Sequence, residues 1–375
     1  MGNLLQENMF AGHAIAAAGS VAVASSLTHP LDTLKTLLQV GAGSTQQLGI
    51  AQVVERVRLV SGVSGLYSGF GLSTLGMISG IGARFGIYEI ITAFYKDGRE
   101  DNYVYVSEAL LAGIAAGAIE SVMLTPFELL KLRRQVSASR FKTSISHKAM
   151  QESTPLISKL LPGYTPDIKA WNSTVGLLST LSPKHPDMVG ALKQYPWMLT
   201  GSGRPPLASD VKGPFNIISL EGWSALWKGL RPGIARDCVF GGVFFSVWQF
   251  FHIAMLNWKA LDINPPPRSI DEAGPVTPLA SSLAAGFSGT VAAAASHSFD
   301  TAKSRSQCIV TPKYIAMERK LLRWKAPGIW LERVTGMSPA DRNIMFRGLW
   351  LRMARSGIAS SALVGSYLLA VEYLF

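Results

Sequence analysis

Three ten-residue segments hold the residues best suited to do more than fold. They are PLDTLKTLLQ at 30–39, PFELLKLRRQ at 126–135 and SFDTAKSRSQ at 298–307. Each sets a carboxylate at its third position (Asp32, Glu128, Asp300), a lysine three residues later (Lys35, Lys131, Lys303) and a glutamine four beyond that (Gln39, Gln135, Gln307). Residues three apart share one helix face. Ionised groups on an apolar helix avoid lipid and turn toward a partner or water. Three helices that each present one acid and one base can therefore close a ring of three ion pairs. Each pair has a small net value because desolvation offsets attraction, which suits a barrier that must open repeatedly. Six independent charges snorkelling to a membrane surface is the alternative; recurrence in one register favours the ring.

The surrounding composition is that of a membrane protein. Of 375 residues, 48% are hydrophobic and 16% are charged, against about 25% charged in soluble domains. The net charge of +11 suits loops at one membrane face, anionic lipid or an anionic solute in a cavity. It does not point to nucleic acid, because the basic residues are scattered along apolar helices. Two cysteines, Cys238 and Cys308, are too few for a disulfide framework. They read as small buried hydrophobes. No His, Cys or acid cluster has metal-ligand spacing, and no cofactor motif is present. The opening MGNLLQENMF lacks the basic and apolar regions of a signal peptide and reads as a short tail.

Each ten-residue motif is followed by a second element: SGVSGLYSG at 61–69, EGWSALWKG at 221–229, and Phe346-Arg347-Gly348. A further apolar segment starts after each closing glycine. The pattern predicts an all-α membrane protein with six spans near 10–39, 71–95, 107–136, 232–256, 277–307 and 349–373. Each is long enough for a bilayer core of about 30 Å, which takes ~20 helical residues. Three repeats follow: 1–103, 104–262 and 263–375. Gln39 to Gly69 spans 30 residues and Gln135 to Gly229 spans 94, so the middle repeat carries an irregular, proline-rich insertion at about 138–212. Pro30 and Pro126 should kink their helices; Ser298 replaces proline in the third, where a milder kink is expected.

These motifs resemble the mitochondrial carrier family over nearly the whole chain outside the insertion. The resemblance implies a monomeric pseudo-threefold barrel of six helices around a central cavity in the mitochondrial inner membrane. It implies ring pairs of Asp32 with Lys131, Glu128 with Lys303 and Asp300 with Lys35, forming a matrix gate braced by Gln39, Gln135 and Gln307. At the cytoplasmic end the family's aromatic-acid-base pattern is eroded. Tyr88-Glu89 is followed by Thr92, Trp248-Gln249 by His252 and Tyr367-Leu368 by Val371. A weak outer barrier of aromatic packing and Gln249 is expected, which would favour uniport.

The resemblance also places the substrate seven and eight residues after each closing glycine, at Gly76 and Met77, Arg236 and Asp237, and Arg355 and Ser356. Arginine forks suit carboxylate or phosphate. Asp237 either holds an ammonium group or orients Arg236. Glu120 shares the face of Glu128 and Lys131, as substrate contact or as partner to a nearby arginine. Arg84 lies about two turns beyond Gly76, and Arg352 one turn below Ser356. His13, His29 and His297 are expected to be structural.

The leading expectation is a carrier of a small zwitterionic or carboxylate metabolite, an amino acid or an amino-acid-bearing cofactor, working by alternating access. A dicarboxylate or oxo acid is the second reading, and a non-transporting scaffold in the membrane the third. No nucleophile-base pair or phosphate loop suggests an enzyme.

Overall fold

The computed structural model describes residues 9–40, 49–97, 104–138, 211–261, 276–310 and 346–374. The N-terminal tail and most of the insertion at 138–212 lie outside them. The described chain is helical: α1 (Met9–Val40), α2 (Ile50–Ser61), α3 (Phe70–Lys96), α4 (Val106–Ala138), α5 (Pro214–Glu221), α6 (Leu230–Leu261), α7 (Pro278–Ala295), α8 (His297–Cys308) and α9 (Leu349–Leu374). Single 3₁₀ turns at Val63–Tyr67 and Trp223–Trp227 lead into α3 and α6. Among the described residues, six helices are long and apolar enough to cross a membrane.

Neighbours in the chain pack as neighbours in space. Helix α1 meets α3, α3 meets α4, α4 meets α6, α6 meets α7, α7 meets α9, and α9 returns to α1. The six spans thus close into a barrel. Small residues set its tightest seam. A methyl group added at Gly113 would come 2.4 Å from the carbonyl oxygen of Gly241, and one at Gly117 would come 2.0 Å from that of Asp237. Close backbone approach replaces hydrophobic driving force, which is lost between helices in lipid.

The loop glycines show the threefold relation most directly. Gly69, Gly229 and Gly348 all adopt positive φ, at 82°, 81° and 79°, a conformation that costs side-chain-bearing residues energy. Each turns the chain from the loop into an inward-facing helix. Gly69 lies against Lys131, Gly229 against Lys303 and Gly348 against Lys35. Every repeat therefore sets its turn on the ring lysine of the next, and the third returns to the first.

Proline acts as its chemistry requires in α4. Pro126 has no N–H for the carbonyl of Val122, four residues earlier. That carbonyl instead accepts from Trp227 Nε1 at 3.2 Å. Helices α1 and α4 stay continuous through Pro30 and Pro126. The third odd-numbered span, which lacks the proline, is the one that breaks. It divides at Ser296 between α7 and α8, contrary to the milder kink expected from its sequence. A side chain from another helix sits at the break: Arg352 of α9 donates to the Ser296 carbonyl at 2.8 Å and to its hydroxyl at 2.7 Å.

The loop helices are held differently in the two described cases. α2 is pinned by an apolar cluster of Leu34, Leu37, Leu38, Val53 and Val57. α5 is pinned by charge: Arg133 meets Glu221 at 2.5 Å, and Lys228 meets the same carboxylate at 3.3 Å. The equivalents of Arg133 and Glu221 in the first repeat are Leu37 and Ser61, so the apolar cluster occupies the place of the ion pair.

Candidate functional site

At one end of the barrel the conserved register of the three motifs brings three carboxylates and three lysines together. Lys35 meets Asp300 at 2.5 Å. Lys131 meets Asp32, and Lys303 meets Glu128. Each pair joins one odd-numbered span to another, so the triangle spans α1, α4 and α8. Asp32, Asp300, Lys35 and Lys303 are at most 5% exposed as residues.

Two of the three corners carry a glutamine. Gln39 Nε2 donates to Asp300 at 3.0 Å and to Thr301 at 3.2 Å. Gln135 Nε2 donates to Asp32 at 3.3 Å and to Thr33 at 3.0 Å. Gln307 departs from this arrangement. Its amide donates to the Lys228 carbonyl at 3.3 Å, because the turn at Gly229 packs directly on it. The Glu128 side chain is 21% exposed, against 4% for Asp32 and 3% for Asp300.

Above the triangle lies a cavity that is partly open to solvent. Its floor is a layer of arginines that lean on the ring acids from the cavity side. Arg236 of α6 is clamped by Asp237, with Nε 2.7 Å from Oδ1 and Nη2 2.9 Å from Oδ2. Its remaining nitrogen, Nη1, reaches Glu128 at 2.9 Å and Asp300 at 3.4 Å. Arg355 of α9 reaches Asp32 at 3.1 Å. Arg352, one turn deeper, is 3.7 Å from Asp300. Every ring acid thus faces a lysine within the ring and a guanidinium from the cavity.

Higher in the cavity, Arg84 donates through Nε to Glu120 at 2.5 Å. Its guanidinium also lies 4.8 Å from the centre of the Phe240 ring, an attractive cation–π placement. Met77, Arg84, Glu120, Arg236, Asp237, Arg355 and Ser356 all line the cavity. Gly76 does not: a methyl there would come 2.6 Å from Phe127 Cβ, so this position serves the contact of α3 with α4. The resemblance that pointed to Met77 also named its neighbour, which lies a hundred degrees round the helix, on the packing face.

Three contributors were not legible from spacing. Phe127, Phe240 and Phe244 form apolar wall; Phe127 lies inside the second motif but is not one of its charged or amide residues, and Phe240 and Phe244 lie in no motif. Arg352 was placed on its helix, yet its hold on Ser296 depends on the break in the facing helix. At the far end, Gln249 donates to the Val104 carbonyl at 2.8 Å, which ties α6 to the start of α4. Tyr88 stacks on Phe245 at 3.7 Å, and Tyr367 bonds His13 Nδ1 at 3.1 Å. His29 sits against Tyr67 and Phe70 and bonds the Ser68 carbonyl at 3.2 Å, a packing role.

A six-helix bundle closed by acid–lysine pairs, with charged residues lining a central cavity, defines a class of membrane proteins built from three repeats. Comparison with known proteins agrees. The family model described as mitochondrial carrier protein matches residues 6–99 and 103–159. A mitochondrial substrate carrier family protein of Dictyostelium discoideum is 28% identical over 272 residues, covering 62% of this chain and 94% of that protein. A human mitochondrial adenyl nucleotide antiporter is 33% identical over 128 residues, 34% of this chain and 27% of its own. A dicarboxylate carrier of Danio rerio is 27% identical over 146 residues, 36% and 46% respectively. Aligned regions span 49% of a probable calcium-binding mitochondrial carrier of Caenorhabditis elegans, so the chain covers half or less of several curated relatives. The chain is thus similar to the mitochondrial carrier family over residues 6–99 and 103–159, and among its described residues six helices are long and apolar enough to cross a membrane.

Proposed function

We propose that this chain transports a small anionic metabolite by alternating access, with the triangle of ion pairs as the inner barrier and the arginine layer as the binding floor. One observation carries the reading: Arg236 and Arg355 contact ring acids and line the cavity at once. An anion bound at those arginines competes with Glu128, Asp300 and Asp32 for the same donors. Binding therefore weakens the closed ring, which is the differential contact that lets a ligand shift a conformational equilibrium. The three repeats, 1–103, 104–262 and 263–375, are the units that move apart. One chain suffices to enclose the cavity, and no step of this cycle makes or breaks a covalent bond.

A carboxylate or oxo acid fits better than a zwitterion. An ammonium group needs a free carboxylate. Both oxygens of Asp237 accept from Arg236, and Glu120 is held by Arg84. That the dicarboxylate carrier of Danio rerio is among the relatives supports the same class. An amino acid stays as the second reading, carried by the adjacency of Arg236 and Asp237.

Reconstitution in liposomes tests the function. Labelled succinate, an oxo acid and an amino acid are offered with and without an internal counter-solute. The wild-type protein should take up one class without preloading, and Arg236→Ala should lower uptake about a hundredfold, as loss of a charge-assisted bond and of Asp237's partner predicts. Absence of uptake for all three would favour the scaffold reading, and uptake restricted to preloaded vesicles would exclude uniport.

A further inference from the structure

The charges lining the cavity floor and the ring do not cancel. Among the described residues, five carboxylates (Asp32, Glu120, Glu128, Asp237, Asp300) face seven cations (Lys35, Arg84, Lys131, Arg236, Lys303, Arg352, Arg355). Assigning each acid its shortest contact on a different cation uses every carboxylate once. Asp32 takes Lys131, Glu128 takes Lys303, Asp300 takes Lys35, Asp237 takes Arg236 and Glu120 takes Arg84. Two guanidiniums are then left without an acid of their own: Arg352 and Arg355.

Both lie on α9, three residues apart, so they share one helix face. Both line the cavity. The acids they lean on, Asp300 and Asp32, are already neutralised by lysines, at contacts closer than the 3.7 Å and 3.1 Å to the arginines. Arg352 is further oriented by Ser296, and Arg355, with a 24% exposed side chain, is the more open of the two. Buried charge without compensation is costly, and more so where little water reaches it. The surplus of two positive charges is thus an electrostatic demand on whatever occupies the cavity.

From this geometry we infer that the substrate carries two negative charges in excess of any positive ones, and that the Arg352–Arg355 face of α9 receives them. The inference deepens the proposed function and rests on the same cavity. The substrate class is a dicarboxylate or a phosphate-bearing dianion, with Arg355 as the first contact and Arg352 the deeper one. A neutral zwitterion leaves both surplus charges unanswered, and a monoanion answers one.

Thermal-shift titration of the full-length purified protein with succinate, inorganic phosphate, acetate and glutamine, at one mildly alkaline pH and constant ionic strength, tests this. Ligand that binds the folded state raises the midpoint in proportion to its affinity. Succinate or phosphate should stabilise most, and the difference between those two arms identifies the carboxylate or phosphate source. Arg355→Gln should weaken dianion binding about tenfold or more and remove its advantage over acetate, whereas Arg355→Lys should keep that advantage. Arg352→Lys serves as the second variant, since Arg352→Gln removes the bond to Ser296 as well. A larger shift from glutamine or acetate than from either dianion would overturn the inference, and so would no shift from any dianion. Uptake assays separate the two readings. Dianion binding without uptake defeats transport alone, and glutamine uptake without dianion binding defeats the charge rule alone.

Discussion

Asp300→Asn should abolish uptake and lower stability by about 3–5 kcal/mol, the usual cost of removing one partner from a buried ion pair. No other ring acid gathers so many cationic donors. Lys35 lies at 2.5 Å, Arg236 at 3.4 Å and Arg352 at 3.7 Å, with the Gln39 amide at 3.0 Å. Losing the carboxylate leaves three buried cations turned toward one neutral amide. The double variant Asp300→Asn with Lys35→Met should recover only part of the loss, because Arg236 and Arg352 still face the site. Thermal unfolding and vesicle uptake measure both effects. Wild-type melting and uptake in the single variant would show that the triangle does not hold the barrel shut.

Gly117→Ala should be as severe for a different reason. The added methyl would lie 2.0 Å from the Asp237 carbonyl oxygen and 2.9 Å from the Cys238 amide nitrogen. The neighbours are backbone, so neither a rotamer change nor a local shift can relieve the overlap. Helix α6 must move, at a cost near or above the about 1–3 kcal/mol typical of overpacking. It takes Arg236 and Asp237 with it, so substrate affinity should fall along with the melting temperature. Gly82→Ala is the control. A methyl there meets nothing within 4 Å, so it should be neutral or stabilising by about 1 kcal/mol. Equal melting curves for the two variants would remove the seam between α4 and α6 from the argument.

The fold was readable because membrane spans and ring motifs are both local signals. The span over 349–373 corresponds to Leu349–Leu374, and that over 107–136 to Val106–Ala138. The break at Ser296 was not readable. Arg352, 56 residues away in the chain, meets the Ser296 carbonyl and hydroxyl there, while the sequence showed only a missing proline. Residues at the candidate site divided in the same way. The family resemblance brought Arg236 and Arg355 to the cavity, since a helix carries its register faithfully over two turns. It misassigned Gly76 because a helical position one step away can face another helix. Whether Asp237 is free or occupied was also beyond spacing; both of its oxygens turn out to be taken by its own neighbour, Arg236.

The glutamine that turns away gives the inner barrier a sequence of failure. Two vertices of the triangle are reinforced from below and nearly dry. The third, between Glu128 and Lys303, has neither advantage, since Gln307 spends its amide on the adjoining turn. In the proposed cycle this vertex should yield first under the same strain, with α4 separating from α8 while α1 still grips both neighbours. The proposed barrier would then open as a hinged flap and not as an iris, directing solute that leaves the cavity along a single side of the barrel.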